Sequence, residues 1–213
     1  MPRVTLVAYS DYLCPWCYNA SVRLRRLEDE FAGDVKVEWR AFLLRARPRT
    51  DEADSGRALE KFMRYTQSWL RPAAEPDAGK FRVWETTEGP PSWSVPPHVV
   101  AKAAAREGPD AFARVHERLL EAYFSENRDI TSRANLAAIW SDAELAPERF
   151  PELGDTPLVE KVWNEYRAAI DRGITGVPAV HVAGQDPYVV GAQPYELYER
   201  WVTRQLEARG DGD

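Results

Sequence analysis

Cys14 and Cys17 are the only two cysteines in 213 residues, and both fall within the tetrapeptide Cys14-Pro15-Trp16-Cys17. Their surroundings limit what the chain can build. Val4 to Tyr9 is a β-favouring run of buried-strand length, and Ser10 to Leu13 is a connection. A helix is predicted to start at the cysteine pair, because proline at a first helical position gives up an N–H that has no intrahelical partner there. Ala20, Leu24, Leu27 and Phe31 form one helical face, and Gly33 is placed to stop the helix. Val35, Val37, Trp39 and Ala41 alternate with Lys36, Glu38 and Arg40, the pattern of a second strand. Strand–helix–strand favours a parallel pair joined by a crossover helix, with the cysteines at the junction of the first strand and that helix.

Between about residues 50 and 170 helical periodicity replaces strand signals. Glu60 to Leu70 is predicted helical, and the segment 71–97 is read as a long loop because it holds prolines 72, 76, 90, 91, 96 and 97. Helices are expected over His98–Arg106, over Ala111–Phe124 (Phe112, Val115, Leu119 and Tyr123 inward), after a Ser132 cap (Leu136, Ile139 and Trp140 inward), and from Pro157. In the last of these Leu158, Val162, Trp163, Tyr166 and Ile170 share a face. Ala179–Val182 and Tyr188–Val190 then read as an antiparallel hairpin around the turn Gly184–Pro187. A final helix is expected from Pro194, with Leu197, Trp201 and Val202 inward, and Arg209–Asp213 is expected to fray. The order is that of a small mixed sheet interrupted by a helical block: an α/β chain with one unit from 1–50 and 171–213 and an inserted helical unit from 51–170.

A cysteine at a helix start meets free backbone N–H groups and the positive end of the helix dipole, and both favour a thiolate. Cys14 is expected to be the exposed attacking thiol and Cys17, one turn inside, the resolving one. Pro15 and Trp16 carry no charge, so the helix terminus must supply the stabilisation. A zinc site needs about four ligands. Only His98, His116 and His181 remain, scattered along the sequence, so no metal is expected. Net charge is −6 from 28 Lys and Arg against 34 Asp and Glu, which argues against tracking a phosphate backbone. No run approaches the roughly 18 apolar residues of a membrane span.

Gly176-Val177-Pro178 precedes the returning strand. In this topology Pro178 suggests a cis peptide after Val177, exposing the Val177 backbone to an extended substrate; an ordinary trans turn proline is the alternative. Taken together, the Cys-Pro-Trp-Cys motif after a strand, the helical insertion, Gly173-Ile-Thr-Gly-Val-Pro178 and the Gly191-Ala-Gln-Pro194 helix start resemble the DsbA-like thioredoxin superfamily. The segment Glu121–Ile130 resembles the insertion of its cytosolic FrnE-like branch. The resemblance implies a thioredoxin-like fold with a large α-helical insertion, and metal-free thiol–disulfide exchange. It further implies Cys14 as nucleophile, Cys17 as resolving thiol and Pro178 as the cis-proline. Two features depart from the pattern: no second cysteine pair lies near the C-terminus, and the motif lacks the histidine of periplasmic DsbA.

Asp11, three residues before Cys14, has two readings, a cap of the loop or helix start and a proton shuttle during resolution. Trp69, Trp84 and Trp93 are read either as core of the helical block or as an apolar groove over the thiols. Tyr12 and Leu13 are expected to flank the site, and His181 to be structural. The expected activity is dithiol–disulfide exchange on protein or small-molecule disulfides. No cofactor is expected beyond glutathione as a redox partner, and no nucleic-acid or membrane partner. The absence of a secretory signal points to the cytoplasm, and the sequence does not set the oligomeric state. Two other readings compete. One is a glutathione-dependent isomerase or transferase of the 2-hydroxychromene-2-carboxylate isomerase or kappa type, which typically has serine at the first cysteine. The other is a peptide-binding chaperone or redox sensor.

Overall fold

The computed structural model describes residues 2–49 and 55–210. Strand β1 (Val4–Ser10) leads through the cysteine motif into α1 (Pro15–Glu30) and back to β2 (Val35–Ala41). Helices α2 (Ser55–Thr66), α3 (Leu70–Ala73), α4 (Val95–Glu107), α5 (Pro109–Phe124), α6 (Arg133–Asp142) and α7 (Thr156–Asp171) follow. The hairpin β3 (Ala179–Val182) and β4 (Tyr188–Val190) and a last helix, α8 (Tyr195–Gly210), complete the chain. The sheet order is β2-β1-β3-β4. β1 runs parallel to β2, with Leu6 opposite Val37, and antiparallel to β3, with Leu6 opposite Val182. The fold is thioredoxin-like, with α2 to α7 inserted between β2 and β3.

Strand alternation sorts β1 into two faces. Val4, Leu6 and Ala8 pack with Leu24 and Leu27 of α1 and Tyr198 and Val202 of α8. Val7 and Tyr9 turn the other way, onto Phe42, Ala169 of α7 and Ile174. α7 therefore covers the second face of the sheet, although by chain order it belongs to the helical block. The third cluster is the core of that block, built on Trp69, Trp84, Leu119, Phe124 and Trp140. Tyr12, Leu13 and Tyr18 enter the same cluster, so the helical block packs directly against the residues flanking the cysteines.

Two polar side chains on α1 hold the Pro-rich connection in place. Asn19 donates to Pro72 O at 2.9 Å and accepts from Gly79 N at 3.0 Å. Arg23, 1% exposed, forks onto Asp77, reaches Glu75, and donates to Ala192 O and Gln193 O. Gly79 lies flat on the Tyr18 ring: a Cβ there would sit 2.5 Å from two ring carbons. Tyr18 cannot yield easily, because it packs against Phe81 and stacks on Phe124. Gly79→Ala is expected to cost about 1–3 kcal/mol, the usual range for overpacking, read as a lower urea midpoint at unchanged slope. An unchanged midpoint would show that the connection moves instead.

The structure corrects several sequence expectations. The 71–97 loop is shorter at both ends: α3 takes Leu70–Ala73, and α4 starts at Val95 with Pro96 and Pro97 in its first turn. Those prolines mark a helix start, where a missing N–H costs nothing. The helix predicted over Glu60–Leu70 ends at Thr66 and continues as a 3₁₀ turn, Gln67–Trp69. Ile170 is 47% exposed at the last turn of α7. α8 begins at Tyr195, and it buries Tyr195, Tyr198 and Val202, with Leu197 only half-buried. α8 runs to Gly210, so the predicted fraying is absent at Arg209, and the rest of that tail lies outside the described residues.

Candidate active site

Cys14 is the N-cap of α1 in an extended conformation (φ −98°, ψ 114°), with Pro15 in the first turn. Its N–H donates to Asp11 O at 3.0 Å, and its carbonyl accepts from Cys17 N at 3.0 Å. One turn of backbone therefore sets both sulfurs at the positive end of the helix. Both cysteines are free thiols. The Cys14 thiol donates to Val177 O at 3.5 Å, and the Val177–Pro178 peptide is cis. The sequence motifs 163 residues apart thus meet at one point.

Cys14 is 5% exposed and Cys17 fully buried. The expectation of an exposed attacking thiol is corrected: the thiol is turned inward onto the Val177 carbonyl. Burial pushes the Cys17 thiol well above its ordinary value, and the neighbouring Cys14 sulfur pushes it the same way. The Ser10 hydroxyl and the Asp11 backbone act against that rise. Trp16 (36%) and Tyr65 of α2 (52%) leave apolar surface exposed near the thiols, and Tyr65 lies within electrostatic range of Cys14.

Asp11 is fully buried. Oδ1 accepts from Leu13 N at 2.8 Å, and Oδ2 accepts from Leu44 N and Ser94 Oγ, both at 2.6 Å. The carboxylate pins three loops together and does not cap α1. Burial raises it to about 6 against the pull of those three donors. No hydrogen bond joins it to Cys17; only its backbone faces that sulfur.

The other candidates divide cleanly. Trp69 and Trp84 are core, so the groove reading fails for them; the large rings fill the space between α2 and α5. Trp93 is half-buried against the same core. His181 is buried on the second face of the sheet, over Tyr9, with Nδ1 2.9 Å from Val182 O. His98 and His116, far apart in sequence, meet at Tyr12: the rings lie 4.9 and 5.3 Å from it. Sequence reasoning missed this, along with Ser10 and Tyr65. A helix pattern shows which face is inward but not which inward histidines share a neighbour. Among the described residues no group of three His, Cys, Asp or Glu side chains is placed to hold a metal, and no helix is long and apolar enough to cross a membrane.

The DSBA-like thioredoxin domain matches residues 5–202. YwbO of Bacillus subtilis, described as uncharacterized, is 24% identical over 97% of this chain and 99% of its own. The cytosolic disulfide reductase DsbM of Pseudomonas aeruginosa superposes with a TM-score of 0.71 at 22% identity, covering 96% of this chain and 98% of DsbM. A second DsbM structure, with GSH, gives 0.69 at 23% identity, with the same coverage of each chain. A Nitrosomonas europaea structure, described as a candidate protein disulfide isomerase, gives 0.76 at 15% identity over 97% of this chain and 98% of its own. With the paired thiols at the head of α1 and a family match over nearly its whole length, this chain belongs to the DSBA-like thioredoxin domain family.

Proposed function

We propose that the protein is a thiol–disulfide oxidoreductase working through Cys14 and Cys17, in a cytosolic setting like that named for DsbM. One observation carries the reading: Cys14 stands at the N-cap position of α1 with its thiol on the Val177 carbonyl, and Cys17 lies one turn behind it. Cys14 attacks one sulfur of a substrate disulfide, forms a mixed disulfide and releases the first substrate thiolate. Cys17 then attacks Cys14 Sγ, which expels the second substrate thiol. Two electrons have passed to the substrate, and a Cys14–Cys17 disulfide remains. Glutathione, present in one DsbM structure, is the proposed electron donor: two molecules return the pair to thiols and leave as their disulfide. Pro15 and Trp16 set the spacing and the exposed rim of the pair. The Val177 backbone, beside Pro178, is the proposed contact for an extended substrate on either a protein or a small molecule. Asp11 is assigned to holding the loops around the pair, because its oxygens are taken by Leu13, Leu44 and Ser94.

The competing readings gain nothing from the geometry. The isomerases and transferases typically have serine where Cys14 stands, and of the two tryptophans in the Pro-rich segment, which would serve a peptide-binding chaperone, Trp84 is buried core and Trp93 is half-buried against it. The test is a redox titration of the pair in glutathione buffers, combined with Cys17→Ala. The wild type is expected to take up and lose one internal disulfide reversibly. Cys17→Ala is expected to stall as a mixed disulfide at Cys14, detectable by mass. A pair that stays reduced in oxidised glutathione, with no adduct in Cys17→Ala, would end the reading.

A further inference from the structure

Cys17 must lose its proton as it attacks Cys14, yet it has no exposed surface. In the reduced protein its thiol faces Cys14; once Cys14 is tied into a mixed disulfide, the Ser10 hydroxyl is the polar side chain left beside it. Ser10 also lines a cavity of about 10 Å³, measured as space for a water's centre, together with Tyr12, His98, Lys102 and His116. That is about the room one water needs, and polar groups line it. Beyond the cavity runs a chain of short contacts. Tyr12 Oη lies 2.8 Å from His116 Nδ1, and His116 Nε2 lies 2.9 Å from Ser21 Oγ. Ser21 and His116 both line the large groove between α1, β2 and α5, whose lining does not include Val177.

We infer that Ser10, one water in this cavity, Tyr12, His116 and Ser21 form a proton path from Cys17 to that groove. The inference rests on the exchange reading above and adds its proton exit. Each member passes on one proton as it receives one. Cys17 gives its proton to Ser10 Oγ, Ser10 to the water, and the water to Tyr12 Oη. Tyr12 gives its own to His116 Nδ1, while His116 releases the proton on Nε2 to Ser21, which hands it to groove water. The electron pair left on Cys17 forms the bond to Cys14, and the departing substrate sulfur carries the balancing negative charge until it is protonated in solvent. His116 only changes tautomer and never holds a charge. This suits a ring that burial keeps neutral, holding it down at about 3. Ser10 touches the reacting sulfur; Tyr12, His116 and Ser21 act through it.

The test mixes reduced protein with oxidised glutathione, quenches with acid and counts adducts by mass. Tyr12→Phe keeps the ring against His98 and removes only the hydroxyl, and Ser10→Ala removes the first link. Both are expected to slow conversion of the Cys14–glutathione adduct to the internal disulfide by about 100-fold, the lower range for a placed proton-transfer group. Formation of the adduct should keep its wild-type rate. Ser10→Thr should restore resolution, and the wild-type step should slow in D₂O. The path is refuted if both variants resolve at the wild-type rate, if both steps slow equally, or if Ser10→Thr leaves the defect in place. A wild type that forms neither adduct nor internal disulfide overturns the exchange reading and the path together; normal exchange with unaffected variants overturns the path alone.

Discussion

Glu165→Leu is expected to destabilise the protein by about 3–5 kcal/mol, the usual cost of removing one partner of a buried ion pair. Glu165 on α7 and Lys102 on α4 are 6% and 7% exposed at the side chain, and Oε2 lies 2.6 Å from Nζ. The same oxygen accepts from Ala41 N at 2.7 Å, and Lys102 Nζ donates to Trp39 O at 3.0 Å. β2 is an edge strand. Its outward groups are taken by these two side chains and by Glu28, which accepts from Val37 N at 2.7 Å. The pair therefore closes a sheet edge that would otherwise offer itself to another strand. Burial already pulls the Lys102 ammonium down, with Glu165 opposing it; without Glu165 the lysine keeps the burial cost and loses the compensation. Lys102→Met added to Glu165→Leu removes the stranded charge. It should recover the part of the loss that the stranded charge causes, leaving the cost of two orphaned groups, the Ala41 N–H and the Trp39 carbonyl, at about 1–3 kcal/mol for each that stays unmet. Urea midpoints of the wild type, both single variants and the double variant form the cycle. Additive single losses would show that the pair is not coupled.

The edge closure also shows where sequence reading stops. Glu165 and Lys102 sit in helices 63 residues apart, and either one reads alone as an ordinary charged helix residue. Their pairing exists only once α4 and α7 are packed together. The cysteine site was far more legible, because its parts are local: a β run, proline at a helix start and two cysteines one turn apart. The hairpin and its proline were legible for the same reason. The prolines at 96 and 97 misled because proline is both a loop former and a helix starter, and only the apolar residues after it decide. Arg23 is another case. A buried arginine inside a helix follows no periodic pattern, and its partners Asp77, Glu75 and the carbonyls of Ala192 and Gln193 come from two distant segments. Tyr12, His98 and His116 meet through the packing of α4 and α5 against the cysteine loop, which no spacing rule encodes.

Asp11 gives the clearest pH signature. Its carboxyl is raised from 3.8 to about 6 in the folded protein, chiefly by burial. A carboxyl with a raised folded value stabilises the protein fully only below its unfolded value. That stability is lost as pH climbs through about 6, because the folded chain must then hold a buried charge. The span from 3.8 to about 6 corresponds to about 3 kcal/mol at 1.36 kcal/mol per unit. Asp11→Asn removes the titration and places an amide NH₂ against one of three donors. With the oxygen kept on Leu13 N, the NH₂ faces Leu44 N–H and Ser94 Oγ. Ser94 can turn to accept, but the Leu44 N–H cannot, at about 1–3 kcal/mol for the unmet donor. At pH 7.5 this loss and the relief of the buried charge nearly offset, so the variant and the wild type should unfold at similar urea concentrations. Near pH 4.5 the wild type is largely protonated and relieved of its charge, whereas the variant still carries its unmet N–H, so the variant should fall behind. A difference between the two proteins that stays constant from pH 4.5 to 7.5 would show that Asp11 does not titrate in that window.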